Sequence, residues 1–179
     1  MTDFLTDIKT LRERARAKIE EGPITSSYGA DREKVIAVLN EALATELVCV
    51  LRYKRHYFMA DGLNAGPIAE EFLLHANEEM GHADQIAGRI TQLQGAPNFD
   101  PAGIVDRSHA EYVEGTTLVD MITEDLVAER IAIESYSEII RWLGDNDPTT
   151  RRMMEEILAV EEEHADDLLS FLADLGDGG

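Results

Sequence analysis

The sequence predicts an all-α fold in which four long helices form one antiparallel bundle. Four stretches carry apolar residues at helical spacing, and each is bounded by glycine, proline or a capping residue. The connection in the middle, residues 98–115, is long, whereas the other two are short. Short connections join antiparallel neighbours and a long one can cross the bundle from end to end. The elements therefore describe two helical hairpins joined by a crossover.

Residues 1–30 are predicted to form a helical appendage to this bundle, which occupies residues 31–179. The pattern over residues 3–21 is that of a short amphipathic helix ended by Gly22 and Pro23. Its basic side chains are matched by acidic ones, which argues against an arm that binds nucleic acid. We expect a solvated helix or one that contacts another subunit.

The first hairpin is predicted from residue 31 to residue 94. Its first helix covers residues 31–60, where Asp61 and Gly62 stop it, and its second covers residues 67–94, before Gly95 and Pro97. The apolar stripes of the two helices are Ile36, Leu39, Leu43, Leu47 and Val50, then Phe72, Ala76, Ala83, Ile86, Ile90 and Leu93.

The second hairpin follows the crossover, in which Pro101 and Gly103 interrupt any periodicity. Its first helix is predicted to begin at Thr117, whose spacing to Asp120 resembles a capping box, and to end before Gly144. Its second begins with Asp147 as N-cap and Pro148 in the first turn, and runs to about residue 175. We expect no fifth helix after it.

Composition excludes several classes of function. The formal net charge of −20 opposes binding to DNA phosphates or anionic lipid and favours metal cations. A single cysteine, Cys49, rules out an intrachain disulfide and a zinc site made of several thiolates. No apolar run reaches the ~20 residues of a membrane span and the first residues lack the apolar stretch of a secretory signal, so a cytoplasmic location is expected.

Four glutamates interrupt the apolar stripes at positions that should face the core. They are Glu46, Glu79, Glu129 and Glu161, one in each predicted long helix. Glu79 and Glu161 are each followed three residues later by a histidine, His82 and His164, so glutamate and histidine share one face of the helix. The spacing from the first to the second glutamate is nearly the same in both hairpins, which indicates an internal pseudo-repeat.

Buried carboxylates need compensation, because each unpaired one costs several kcal/mol, and roughly four would exceed the stability of a typical domain. We find no lysine or arginine predicted at the same depth on these stripes. Two divalent cations would balance the four carboxylates with both histidines neutral. Oxygen-rich ligation with one imidazole for each ion suits iron or manganese better than zinc.

One glutamate on each of two helices and Glu-x-x-His on each of the other two form the di-iron motif of ferritin-like bundles, which this sequence resembles. The stretches TELVCVLRY (45–53) and EEMGHADQIAGRITQLQGAPNF (78–99) resemble the bacterioferritins more closely, and the similarity covers residues 35–175. The resemblance implies two iron ions held in each subunit by Glu46, Glu79, His82, Glu129, Glu161 and His164, with Glu79 and Glu161 bridging. It also places Tyr53 beside the metals and implies haem ligated by Met80 across a subunit two-fold axis.

The resemblance implies a ferroxidase that oxidises Fe(II) with O2 or H2O2 and stores the product in a cage of identical subunits. The same ligands also serve di-iron or di-manganese peroxidases, catalases and oxygenases. A stress-protection protein of the Dps-like kind is a further alternative. The N-terminal segment and the expected lack of a fifth helix depart from bacterioferritins and favour a dodecamer over 24 subunits. His75 is a secondary candidate ligand, and Cys49 is expected to be a small buried hydrophobe.

Overall fold

The computed structural model describes residues 6–62 and 65–176, and all regular structure in these ranges is helical. α2 packs along α3 and α5 along α6, which confirms the two hairpins and the antiparallel bundle. No helix in the described ranges combines the length and apolar composition that crossing a membrane requires. The helices are α1 (Ile8–Arg16), α2 (Arg32–Met59), α3 (Ala65–Gln92), α4 (Ile104–Arg107), α5 (Leu118–Leu143) and α6 (Pro148–Gly176).

Side chains cap three of the long helices, and two of these caps, at Thr117 and Asp147, were predicted from the sequence. The Asp31 side chain accepts a hydrogen bond from the Lys34 amide at the start of α2. Thr117 and Asp120 form a complete capping box on α5. Asp147 accepts from the Thr150 amide at the start of α6, directly before Pro148. These bonds satisfy backbone donors that have no partner within the helix and fix where each helix begins.

The N-terminal segment differs from the single helix predicted over residues 3–21. α1 ends at Arg16, and a separate 3-10 turn follows at Ile19–Glu21. The break falls at Lys18, whose backbone φ of 50° lies in the left-handed region and cannot continue a helix. Residues 3–5 of the predicted helix lie outside the described ranges. The division of the chain at residue 30 stays a prediction.

The crossover contains one short helix, α4, and is otherwise irregular, as predicted. Side chains of α2 hold it against the bundle. Arg52 donates a hydrogen bond to the Glu111 carbonyl at 2.9 Å, and Arg55 donates to the Glu114 carbonyl at 3.1 Å. The end of the connection therefore lies along the C-terminal part of α2.

The apolar core is divided in two by a layer of buried polar side chains. One cluster includes Leu43 of α2 and Ile86 of α3, and the other includes Cys49 of α2 and Phe72 of α3. Glu46 lies between the two clusters along α2 and is 1% exposed. The layer is thus closed on both sides by packed hydrocarbon, which lowers the local dielectric and strengthens electrostatic interactions inside it.

Candidate metal centre

The four predicted glutamates lie in this polar layer, one from each long helix. Glu46 comes from α2, Glu79 from α3, Glu129 from α5 and Glu161 from α6, and each is at most 1% exposed. The structure therefore brings together residues separated by up to 115 positions in the chain, which the sequence pattern placed on core-facing stripes.

Carboxylate and imidazole atoms in this layer form two groups that could each hold a metal ion. The ligand atoms within each group lie within 4.8 Å of one another, and Glu79 and Glu161 belong to both groups. The first group consists of Glu46, Glu79, His82 and Glu161, and the second of Glu79, Glu129, Glu161 and His164. All six predicted ligands are thus in two adjoining positions with two shared carboxylates.

Both histidines point the same ring nitrogen, Nδ1, at the carboxylates. Nδ1 of His82 is 3.1 Å from Glu161 and 3.5 Å from Glu46. Nδ1 of His164 is 3.4 Å from Glu79 and 3.6 Å from Glu161. The other nitrogen of His164, Nε2, is hydrogen-bonded at 2.9 Å to the Glu78 carboxylate. A carboxylate partner on the outer nitrogen is the usual arrangement for a metal-bound histidine, because it fixes the tautomer and orientation of the ring.

Two tyrosine hydroxyls support the layer in a crossed arrangement. Tyr53 of α2 donates a hydrogen bond to Glu129 of α5, and Tyr136 of α5 donates one to Glu46 of α2. Each tyrosine lies seven residues after the glutamate of its own helix, so the pseudo-repeat of the glutamates extends to the tyrosines. Burial and the neighbouring carboxylates raise the pKa of both hydroxyls well above the usual value, so both remain protonated donors.

The family resemblance placed Tyr53 beside the metals, whereas Tyr136 was not predicted to take part in the site. Its spacing from Glu129 repeats that of Tyr53 from Glu46 and could have identified it. Glu78 was also missed, since it precedes Glu79 in an acidic stretch and nothing local distinguishes it from a solvated residue.

Six buried atoms of the layer have no hydrogen-bond partner among the described residues. Such atoms are rare in folded proteins because each costs the desolvation of a polar group. They are Glu79 Oε1, His82 Nδ1, Glu129 Oε2, both carboxylate oxygens of Glu161, and His164 Nδ1. Every one belongs to a predicted ligand. Oxygen and imidazole donors converging on shared space fit two divalent cations of the iron or manganese class.

Protons compete with metal at these groups. Burial alone would lower the pKa of His82, but contacts with Glu161, Glu46 and Glu79 raise it to about 12. Burial opposes the shift of His164 too, and Glu161 and Glu79 raise its pKa to about 11. Burial and then neighbouring Glu79 raise the pKa of the Glu46 carboxyl, and burial, Glu79 and Glu161 raise that of Glu129. Without metal, protons therefore offset part of the negative charge.

A buried arginine corrects the expectation that no basic side chain lies at this depth. Arg52 is 1% exposed, but its Nε donates to Asp125 at 2.7 Å and does not pair with the four glutamates. His56 binds the other oxygen of Asp125 at 2.7 Å through Nδ1. The positive charge of Arg52 is thus paired with a separate carboxylate, and the negative charge of the glutamate layer still has to be neutralised by cations.

The remaining candidates lie outside the two groups. Met80 is 39% exposed on α3, directed away from the core. Cys49 is 2% exposed and its sulfur accepts from Arg52 at 3.8 Å, consistent with a small buried residue. His75 is 1% exposed, stacks on His164 with ring centroids 3.9 Å apart, and lies 3.3 Å through Nδ1 from the Tyr53 hydroxyl. Burial, then the neighbouring His164, lowers the pKa of His75 to about 3.

The comparison with family models matches residues 36–176 to the ferritin-like domain. Among curated relatives, a bacterioferritin of Desulfovibrio desulfuricans is 31% identical over 150 residues, covering 82% of this chain and 80% of the relative.

Two solved structures are similar over most of the chain. One is the dodecameric thioferritin of Bacteroides fragilis, a bacterioferritin-related protein, with 33% identity and a TM-score of 0.80 over 83% of this chain and 90% of that one. The other is the Desulfovibrio desulfuricans bacterioferritin, described with its di-iron site in different catalytic states, with 28% identity and a TM-score of 0.72 over 82% of each chain.

Proposed function

The chain belongs to the ferritin-like family, within which it is related to the bacterioferritins, and on that premise we propose that it is a ferroxidase. It oxidises Fe(II) with O2 or H2O2 at the four-glutamate centre and stores the ferric product inside a cytoplasmic cage of identical subunits. The six partnerless atoms of the predicted ligands are the observation that carries this proposal, because they converge on two positions and belong to groups that bind ferrous iron.

The six side chains have distinct roles in this scheme. Glu46 and His82 bind one ferrous ion, Glu129 and His164 bind the other, and the shared carboxylates bind both. The four carboxylates then balance the charge of two divalent ions. Iron is the substrate and supplies the electrons that reduce the oxidant.

Residues around the ligands hold them in place. Tyr136 and Tyr53 donate hydrogen bonds to Glu46 and Glu129, so each of these carboxylates keeps one oxygen free for metal. Glu78 holds the His164 ring with Nδ1 inward. The apolar clusters on both sides exclude water, which keeps the charged ligands in a low-dielectric environment.

Stopped-flow absorbance tests the activity. Iron-free protein is mixed with Fe(II) in aerated buffer, and we expect a rapid oxidation phase that saturates at two Fe(II) per subunit. Glu129→Ala removes a metal ligand and its charge. Loss of a residue that only supports a ligand typically costs roughly 10–100-fold in activity, so this phase should slow by at least that factor. Glu134→Gln, an exposed carboxylate on the same helix, is the matched control and should leave the rate unchanged. Equal rates in all three proteins would reject the assignment.

The choice among di-iron activities depends on the fate of the oxidant. A ferroxidase consumes O2 or H2O2 in fixed proportion to the Fe(II) oxidised and retains the ferric product. A catalase would instead evolve O2 from H2O2 without added Fe(II), and a peroxidase would need a separate reductant. Oxygen-electrode traces with and without Fe(II) therefore separate the ferroxidase from these alternatives.

The cage is proposed to be a dodecamer. Support comes from the Bacteroides fragilis protein, which is described as dodecameric and superposes on this chain with a TM-score of 0.80. Light scattering of the purified protein should give a mass near twelve subunits, and a mass near twenty-four subunits or an isolated dimer would exclude the dodecamer.

Haem ligated by Met80 from two subunits is the last part of the proposal. Met80 suits this role because its thioether side chain is partly exposed on α3 and is not one of the iron ligands. Protein expressed with ample haem should show a Soret band, and Met80→Leu should abolish it. Haem retained with an unchanged spectrum in that variant would exclude ligation by Met80.

A further inference from the structure

A second polar cluster opens from the metal centre towards solvent. Glu71 and His75 lie one turn apart on α3, and Asp167 lies one turn beyond the ligand His164 on α6. His75 Nε2 is 3.4 Å from Glu71 and 3.8 Å from Asp167. The three ligand atoms lie within 4.8 Å of one another. The side chains of Glu71 and Asp167 are 27% and 46% exposed, so the cluster is accessible from outside.

The ring of His75 is buried, but the described protein neighbours do not satisfy the hydrogen-bonding needs of both its nitrogens. Tyr53 has one hydroxyl proton, which it donates to Glu129, so its oxygen can only accept from Nδ1 of His75. Nε2 is then directed at two carboxylates and has no hydrogen-bond partner among the described residues. In the neutral ring this nitrogen carries a lone pair, and a lone pair facing two anions is unfavourable unless a cation lies between them.

The distances in the cluster fit a cation better than direct hydrogen bonds. Separations of 3.4 and 3.8 Å exceed the usual range of about 2.7–3.2 Å for a nitrogen–oxygen hydrogen bond. Two ligands bound at about 2.0–2.2 Å to one ion lie roughly 3–4 Å apart, which is the separation observed. One imidazole and two carboxylates suit a divalent first-row cation.

We propose that Glu71, His75 and Asp167 form a third metal-ion site that passes divalent cations between solvent and the di-metal centre. The ring of His75 links the two sites, because one face stacks on His164 and Nδ1 binds Tyr53, which in turn holds Glu129. The binding of an ion here is independent of the proposed ferroxidase activity, whereas the transfer role rests on it.

Equilibrium dialysis against Co²⁺ tests the binding. Wild-type protein should bind three Co²⁺ per subunit, and E71Q/D167N should bind two. The matched control, E70Q/D166N, removes the same charge from adjacent exposed positions on the same helices and should bind three. Two ions bound by wild type, or three retained by E71Q/D167N, would overturn the site.

A variant that lacks the di-metal centre separates failure of this proposal from failure of the proposed function. E79A/E161A removes the two carboxylates that both groups share, so it should retain one Co²⁺, which is lost when E71Q and D167N are added. Loss of all Co²⁺ from E79A/E161A would show that no independent third site exists. The transfer role predicts that E71Q/D167N lowers the oxidation rate about tenfold at limiting Fe(II) and leaves it nearly unchanged at saturating Fe(II), whereas equal rates at limiting Fe(II) would reject transfer.

Discussion

Two buried polar clusters lie within one bundle and solve the problem of buried charge in opposite ways. In the cluster of Arg52, His56 and Asp125, both oxygens of the carboxylate are hydrogen-bonded, and the outer nitrogens of the two basic side chains bind crossover carbonyls. In the glutamate layer, six ligand atoms lack partners among the described residues. Both clusters are almost fully buried.

Unsatisfied hydrogen-bonding atoms distinguish a functional polar cluster from a structural one. Burial of charge is common to both and therefore identifies neither. A cluster that stabilises the fold satisfies its own donors and acceptors, whereas a binding site leaves them directed at shared space. The first should lose stability when a member is removed, and the second should lose activity.

The largest expected effect is at Asp125. Asp125→Ala leaves Arg52 buried without its partner, which should lower the free energy of unfolding by about 3–5 kcal/mol. Urea denaturation of the iron-free protein measures this loss. The rate of Fe(II) oxidation per folded subunit should stay close to wild type. A loss of activity without a loss of stability would contradict a purely structural role for the Asp125 cluster.

Glu129→Gln should show the reverse of Asp125→Ala, with higher stability and lower activity. The amide removes the cost of burying an ionisable carboxyl next to Glu79 and Glu161, so the metal-free protein should melt at a higher temperature than wild type. Fe(II) oxidation should fall by about 10–100-fold or more, because a ligand is lost. A lower melting temperature in the absence of metal would contradict the view that this layer is strained without cations.

Tyr136→Phe tests the crossed tyrosines with a smaller change. Without the hydroxyl, Glu46 loses the donor that orients it, and oxidation should slow by about tenfold. Tyr112→Phe, at an exposed position in the crossover, is the control and should have no effect. If both variants oxidise iron at the wild-type rate, the hydroxyl of Tyr136 only fills space.

The stability of the metal-free protein should also depend on pH. Folding raises the pKa of His82 to about 12 and that of His164 to about 11 from an ordinary 6.5. The stability from these protons is fully present below pH 6.5 and is lost as pH rises through about 11–12. The melting temperature of metal-free protein should therefore fall from pH 6.5 to 9, by about 2–4 °C for each kcal/mol lost.

Metal should reverse this trend, because ions displace the protons more easily as pH rises. The increase in melting temperature on adding Co²⁺ should be larger at pH 8.5 than at pH 6.5. An increase that is the same at both values would mean that the ions bind elsewhere.

The sequence was sufficient for the bundle, because apolar periodicity and capping residues such as Thr117 act locally. It failed at the break after α1, where the left-handed Lys18 has no signature in its residue type. It also predicted that the four glutamates meet in the core, since their positions along each helix place them on the side that faces the bundle interior. Arg52 was missed because its partner, Asp125, is 73 residues away and only tertiary packing pairs them.

Anomalous diffraction at the iron edge, from crystals soaked in Fe(II) without oxygen, tests whether the glutamate layer binds two iron ions. Two iron peaks are expected in the layer of each subunit, about 3.5–4 Å apart as in other two-metal sites. One should contact Glu46 and His82 and the other Glu129 and His164. A single peak in the layer, or iron bound only at the surface, would contradict it.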